Sequence, residues 1–175
     1  MSAAPVADWP RDIHAALAAA EIRQVAYVPD AGHARLITLC AGDGAMHMVP
    51  LTSEQEGVGL AAGAWLGGQR SVLLMQSSGV GNCINALTLI ETCRLPLLML
   101  ITMRGEFGEF NPWQVPMGRA TPQALQLADV LVQRASRAEE VGAVVAGAAR
   151  LAFASYRAVA VLLSQQLIGA KSFQK

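Results

Sequence analysis

Residues 71–103 read SVLLMQSSGVGNCINALTLIETCRLPLLMLITM. This stretch contains two apolar runs, 71–75 and 97–103, in which apolar and polar residues do not alternate. Such runs are typical of strands that are buried on both faces of a parallel sheet. Between them, a Gly-rich turn leads into a helix-like segment at 82–92. The stretch therefore predicts a strand–helix–strand unit of an α/β protein.

The same alternation continues on both sides of this unit. Further strand candidates lie at 24–28, 45–49, 130–133 and 158–163, and further helix-like segments lie at 9–20, 54–66 and 139–156. We therefore expect a three-layer α/β/α fold with a mostly parallel sheet of about six strands. The connection at 104–121 is rich in Gly and Pro and follows the strongest strand, so we expect a loop that is either functional or mobile.

Composition limits the classes of protein to which the chain can belong. Of its 175 residues, 53 % are hydrophobic and 15 % are charged, which excludes a disordered chain and predicts surface buried against partners. Thirteen basic and thirteen acidic residues cancel, and they form no basic stripe, so nucleic acid is not an expected ligand. We expect a single domain over 1–175, with no membrane span. Three cysteines without a CxxC pair indicate reduced thiols and a cytoplasmic location.

Glu54 stands at the predicted start of a helix. Ser53 and Glu56 have the spacing of a capping box, which explains Glu56 without any chemistry. Taken alone, Glu54 is well explained as a solvated acid in the first turn, where the helix dipole favours a carboxylate. The three glycines that follow, at 57, 59 and 63, change this view. They are costly inside a helix and tolerable where a backbone or ligand comes close, so we expect an interface helix with a buried acid at its start.

Two other glycine motifs suggest ligands of a different kind. The turn at 75–82 starts like a dinucleotide-binding fingerprint, but Ile84 replaces the third glycine and no acid ends the next strand, so nicotinamide binding is not expected. The triplet at 42–44, Gly-Asp-Gly, matches the start of a metal and diphosphate motif. It precedes a strand, and the first Asn after it is the distant Asn82, so we interpret it as a tight turn.

Four segments together resemble the pyrimidine-binding domain of thiamine-diphosphate enzymes. They are 27–30 (YVPD), 54–63, 75–82 (MQSSGVGN) and 104–106 (RGE). The resemblance covers most of residues 20 to 120, and it is greatest to the alpha subunits, or N-terminal halves, of sulfopyruvate and phosphonopyruvate decarboxylases. It implies a subunit of a non-oxidative 2-oxo-acid decarboxylase, a carboxy-lyase.

The resemblance gives Glu54 the role of the catalytic glutamate of the family. A carboxylate that is hydrogen-bonded to N1′ of the cofactor pyrimidine favours the imine form of its 4′-amino group, which is the base of the reaction. The cofactor contacts implied by the resemblance are those of Glu54, Pro29, Gly79, Val80 and Asn82.

Four further residues are candidates for contact with the substrate. They are Asp30, Gln76, Ser78 and Arg104. Asp30 can alternatively be a helix N-cap. Arg104 either holds an anionic group of the substrate or ends its strand in solvent, and the sequence favours solvent.

The resemblance covers only one of the two domains that hold thiamine diphosphate. We therefore expect a separate beta chain to bring the diphosphate-binding domain and the ligands of Mg²⁺, with no metal ligand in this chain. An assembly of two alpha and two beta subunits, or a larger one, and a small anionic 2-oxo acid as substrate are further expectations. Two alternatives remain: a thiamine-dependent carboligase subunit and a non-catalytic α/β binding protein.

Overall fold

Helices and strands alternate from residue 8 to residue 170, the part of the chain that the computed structural model describes. Two short 3-10 turns lie at Ser77–Gly79 and Ala138–Glu140. The elements are α1 (Trp9–Ala19), β1 (Ile22–Tyr27), α2 (Ala34–Ala41), β2 (His47–Pro50), α3 (Glu54–Leu66), β3 (Arg70–Gln76), α4 (Val80–Cys93), β4 (Leu97–Thr102), α5 (Gln114–Leu127), β5 (Leu131–Ala135), α6 (Val141–Ser155), β6 (Ala158–Leu163) and α7 (Gln165–Ile168). The predicted domain also includes residues 1–7 and 171–175, which lie outside the described part.

The six strands form one sheet in the order β2-β1-β3-β4-β6-β5, and every neighbouring pair is parallel. Helices α1, α2 and α6 contribute to an apolar core on one face of the sheet, and α3, α4 and α5 contribute to a second core on the other face. This arrangement confirms the predicted α/β class, the three layers and the six strands.

Strand β3 shows why apolar and polar residues do not alternate in the central strands. Val72 and Leu74 belong to the core on one face, while Leu73 and Met75 belong to the core on the other. All four are completely buried. Successive side chains of a strand point to opposite faces, so a strand that is covered on both sides needs apolar residues at every position.

Three helices were not predicted, namely α2, α5 and the short α7. Helix α2 is short, and its eight residues lie in a stretch to which we assigned no element. Helix α5 begins within the connection expected at 104–121 and takes up residues 114–121 of it, so only the part before residue 114 is a loop. Pro116 falls in the first turn of α5, where its missing N–H costs nothing, but Pro122 lies in the helix interior. Packing against the sheet therefore overrides the local signal of these prolines.

The polar residues that follow the strands meet at one edge of the sheet. Because all strands run in the same direction, their C-terminal ends lie at the same edge, and β1, β3, β4 and β6 are consecutive neighbours there. Clefts at this edge are the usual ligand sites of open α/β sheets. Within residues 8–170, no helix has the length and apolar character needed to cross a membrane.

Candidate active site

Glu54 is the first residue of α3, and only 8 % of its surface is exposed. Its Oε2 accepts a hydrogen bond of 2.8 Å from Nδ2 of Asn82, in the first turn of α4. The structure thus brings together two residues that the sequence separates by 28 positions. A buried carboxylate with one oxygen held by a neutral donor keeps its other oxygen for a second partner.

Glu56 supplies the glutamate arm of the predicted capping box. Its carboxylate accepts from the backbone N–H of Thr52 at 3.0 Å and of Ser53 at 3.4 Å, and from the Thr52 hydroxyl at 2.7 Å. These bonds satisfy donors at the start of α3 and anchor the chain that leads into it. Glu56 therefore stabilises the helix end, and Glu54 takes no part in this capping.

Gly79 is a glycine because Glu54 lies against it. Its backbone has φ −74° and ψ −18°, a conformation open to any residue. A Cβ added at this position would overlap Cγ, Cδ and Oε1 of Glu54. The turn Ser77–Gly79 thus makes room for the carboxylate, and the glycine is required by close approach and not by backbone freedom.

Cys83 lies one turn into α4 and is completely buried. Burial, with a further contribution from the charge of Glu54, raises the pKa of the Cys83 thiol to about 12. The thiol therefore stays protonated near neutral pH and is not a nucleophile beside Glu54. All three cysteines are free thiols in the structure.

Asp30 accepts hydrogen bonds from three neighbours. Its Oδ1 accepts from Nε2 of Gln76 at 2.9 Å. Its Oδ2 accepts from the Thr102 hydroxyl at 2.5 Å and from the Gly32 amide at 3.1 Å. Burial by itself raises the pKa of Asp30, but these hydrogen bonds and the nearby His33 outweigh it and lower that pKa. Asp30 is therefore an ionised acceptor, and the alternative of an N-cap is wrong because α2 begins only at residue 34.

The side chain of Gln76 links Asp30 to the turn at Ser77–Gly79. While its Nε2 donates to Asp30, its Oε1 accepts a hydrogen bond of 2.9 Å from the Ser78 hydroxyl. Ser78 is exposed and directly precedes Gly79. Three of the four residues predicted to contact the substrate therefore form one connected chain, Asp30–Gln76–Ser78.

Arg104, the fourth of these residues, does not end its strand in solvent. Its Nε and Nη2 donate to Glu109 at 2.7 and 2.5 Å, in a bidentate pair whose side chains are only 13 % and 4 % exposed. The Nη1 nitrogen takes no part in this pair. Hydrogen bonding to Glu109 and, more weakly, the charge of Asp30 raise the pKa of Arg104. Whether Arg104 contacts the substrate stays a prediction.

The loop that follows β4 is tied down at several points. Glu109 also accepts from the amides of Gly105 and Asn111 at 3.1 and 3.0 Å, and from Nε2 of Gln165 at 2.9 Å. The Oε1 of Gln165 in turn accepts from the amides of Glu106 and Phe107. Two alternatives were given for this connection, a functional loop or a mobile one. These hydrogen bonds hold the loop in place and so argue against a mobile one.

The Arg104–Glu109 pair predicts a pH dependence of stability. The hydrogen bonds from Arg104 hold the pKa of Glu109 at about 2, below its ordinary 4.5, although burial opposes this. Because the folded pKa is the lower one, the stabilisation is complete above pH 4.5 and is lost as the pH falls towards 2. We expect the urea midpoint of Glu109→Gln to fall less steeply than that of the wild type over this range. Parallel curves would contradict the assignment.

The remaining predicted cofactor contacts differ in their exposure. Pro29 is exposed at the end of the loop after β1, and Asn82 is exposed beside Glu54. Val80 is completely buried in the core between α4 and the sheet, so the structure gives it a packing role. A contact between Val80 and a cofactor stays a prediction. The triplet at 42–44 is a turn, as predicted, with Asp43 accepting from the Ala45 amide.

Sequence reasoning missed three residues of this edge. Thr102, Glu109 and Gln165 each hold a residue or segment of the site. Thr102 is the last residue of the buried strand β4, and Gln165 follows the end of the buried strand β6 by two residues. A polar residue at such a place is a usable signal. Glu109 has only the signal of an acid in a glycine-rich loop, which is weak.

Comparison with known proteins identifies relatives that match nearly the whole chain. Over 152 residues the chain is 34 % identical to the sulfopyruvate decarboxylase subunit alpha of Methanothermobacter thermautotrophicus, covering 86 % of this chain and 92 % of that subunit. The chain belongs to the family of sulfopyruvate decarboxylase alpha subunits. A second alpha subunit, from Methanocaldococcus jannaschii, is 36 % identical over 129 residues, which are 73 % of this chain and 76 % of that one. The predictions of the family and of a decarboxylase subunit are confirmed.

Other similarities are to longer proteins. The phosphonopyruvate decarboxylase of Streptomyces viridochromogenes is 38 % identical over 121 residues, which are 68 % of this chain and 30 % of that enzyme. Among solved structures, a 2-oxoglutarate:ferredoxin oxidoreductase from Magnetococcus marinus matches 91 % of this chain and 29 % of its own, with a TM-score of 0.71 and 12 % identity. This likeness shows a shared fold. No family model matches the chain.

Proposed function

We propose that this chain is the pyrimidine-binding half of a thiamine-diphosphate-dependent decarboxylase and that Glu54 is its catalytic residue. The observation that carries the proposal is the placement of the Glu54 carboxylate. It is buried at the start of α3, one oxygen is held by Asn82, and the other abuts a residue without a side chain, Gly79. Nothing in the helix cap requires an acid there, because Glu56 performs that function.

The residues present fit the pyrimidine end of thiamine diphosphate. When bound, this cofactor supplies an electron sink for the carbanion left by loss of CO₂. We propose that Glu54 hydrogen-bonds a ring nitrogen of the cofactor, and a charge-assisted bond in a site that excludes water is stronger than one in solvent. Asn82 fixes the rotation of the carboxylate, so the free oxygen keeps one direction.

The substrate proposed is sulfopyruvate or phosphonopyruvate, since relatives of both names resemble the chain. Both molecules carry a carboxylate and a second acidic group. Arg104 is the cation of the predicted substrate contacts, and its Nη1 is the nitrogen that Glu109 does not use. We propose that this nitrogen donates one directed hydrogen bond to the substrate. Most of the positive charge that binds the substrate then comes from elsewhere, because Glu109 neutralises Arg104.

The second half of the site is proposed to lie on a beta chain that carries the diphosphate-binding domain and the Mg²⁺ ligands. The name "subunit alpha" of the relatives supports a partner. The phosphonopyruvate decarboxylase, of which this chain covers 30 %, has more than twice as much sequence outside the match as within it. Two alpha and two beta subunits are the smallest assembly we propose, with the active site between chains.

Reconstitution tests this proposal. The chain should co-purify with a beta chain that is expressed beside it, and the complex should release CO₂ and an aldehyde from sulfopyruvate only when thiamine diphosphate and Mg²⁺ are present. The chain alone should be inactive. If the complex yields only a ligated hydroxyketone, the enzyme is a carboligase. If a complex forms but binds no thiamine diphosphate, the proposal fails.

A further inference from the structure

The chain of hydrogen bonds from Asp30 to Ser78 has a fixed direction. A carboxylate accepts hydrogen bonds and donates none, and the low pKa of Asp30 keeps it ionised near neutral pH. The atom of Gln76 that faces Asp30, at 2.9 Å, must therefore be the nitrogen Nε2. The amide orientation of Gln76 is set by this neighbour.

The orientation of Gln76 also fixes the direction of the next hydrogen bond, which leads to the turn beside Glu54. With Nε2 committed to Asp30, Gln76 presents its oxygen to Ser78. An amide oxygen can only accept, so the single proton of the Ser78 hydroxyl is used in this 2.9 Å bond. What remains on the exposed side of Ser78 is lone pairs. Ser78 therefore offers an acceptor, and not a donor, to a ligand that occupies this edge.

This polarity discriminates between the two ligands of the proposed function. Sulfopyruvate has a carboxylate, a keto oxygen and a sulfonate, which are all acceptors. An aminopyrimidine carries N–H donors. An acceptor that faces an acceptor is repulsive, while an acceptor that faces an N–H forms a hydrogen bond.

We propose that Asp30 is a positioning residue that acts through Gln76 to fix Ser78 as a hydrogen-bond acceptor for an N–H group of the cofactor's aminopyrimidine. The inference rests on the proposed function. It changes the predicted partner of Ser78 from the substrate to the cofactor, and it gives Asp30 a role that requires no contact with either.

Asp30→Asn should reverse the direction of both hydrogen bonds that involve the Gln76 side chain. The Gly32 amide is a fixed donor to Oδ2, so an asparagine at position 30 places its oxygen there and turns its NH₂ towards Gln76. Gln76 must then present its own oxygen to that NH₂ and its nitrogen to Ser78. Ser78 becomes the acceptor of that bond, and its proton turns to the exposed side.

The test measures the Kd of thiamine diphosphate by calorimetry on the assembled alpha–beta complex with Mg²⁺. Ser78→Ala should raise this Kd roughly 3- to 10-fold, the effect of one neutral hydrogen bond. Asp30→Asn should raise it at least as much. The double variant should match Ser78→Ala, because no hydroxyl remains to be inverted. Ser155→Ala, an exposed serine at the end of α6, is the matched control and should change nothing.

Two results would overturn the inference. One is a Ser78→Ala complex whose cofactor Kd stays within twofold while its KM for sulfopyruvate rises, which would make Ser78 a substrate donor. The other is a multiplicative effect of the two substitutions, which would show that Asp30 acts independently of Ser78. Either result leaves the proposed function intact, since the wild-type complex still binds thiamine diphosphate. If Asp30→Asn does not fold, Gln76→Met removes the link and frees the Ser78 hydroxyl to rotate. Its effect on the cofactor Kd should then be smaller than that of Ser78→Ala and should vanish in the Ser78→Ala background, and an effect that persists there would overturn the inference.

Discussion

Replacing Glu54 by Gln is expected to lower kcat of the assembled complex by about 100- to 10,000-fold, the range for loss of a placed proton partner. The substitution keeps the volume of the side chain, and the amide oxygen can still accept from Asn82. It removes the negative charge that the proposed contact with the pyrimidine requires. Steady-state kinetics and thermal unfolding of the same preparation separate chemistry from folding, and the fold should be unaffected.

Glu56→Gln is the matched control for this experiment. It lies in the same first turn, two residues away, and changes the same functional group, but its carboxylate only caps the helix. We expect a loss of stability of about 1 kcal/mol or less and an unchanged kcat. If the Glu54→Gln complex turned over at the wild-type rate, the role of Glu54 would be refuted.

Gly79→Ala should be the second most damaging change. The backbone at Gly79 accepts any residue, so the whole effect comes from the added methyl group, which would overlap the Glu54 carboxylate. The carboxylate must move away from Asn82 or the turn must shift. We expect a loss of kcat of the same order as for Glu54→Gln, together with an overpacking cost of about 1–3 kcal/mol in the free energy of unfolding.

Urea denaturation and kinetics of the Gly79→Ala complex check this expectation. Gly147→Ala is the control, since a methyl group at this exposed position of α6 would meet no atom within 4 Å. It should raise stability by up to about 1 kcal/mol, because alanine is the better helix former. A Gly79→Ala complex with normal kcat would show that the Glu54 carboxylate can be displaced without loss of activity, which would contradict the importance of its placement.

Some features of the site follow from sequence alone because they are local. The capping-box spacing assigns Glu56 to the helix end and thereby leaves Glu54 free of the cap. Apolar runs without alternation identify β3 and β4 as doubly buried strands, and the turn between β3 and α4 follows from its glycines. Each of these arguments uses residues within one helix or strand and its caps, where spacing fixes geometry.

What only the tertiary structure decided is which distant residues meet. Asn82 reaches Glu54 because α4 packs against α3. Asp30 meets Gln76 and Thr102 because β1, β3 and β4 are neighbours whose C-terminal ends share one edge. Neither strand order nor side-chain direction can be obtained from the periodicity of a single chain. Arg104 shows the consequence: the sequence favoured a position in solvent over a substrate contact, while the fold leaves only 13 % of its side chain exposed and pairs it with an acid five residues away.

Residues 71–103 contain examples of both kinds of cause. Their sequence determined a strand, a turn and a helix, because backbone propensity and burial act locally. The identity of Gly79 had a different cause, namely the carboxylate of another helix lying against it. Packing between elements depends on which atoms of different elements come into contact. A sequence pattern does not show which atoms these are.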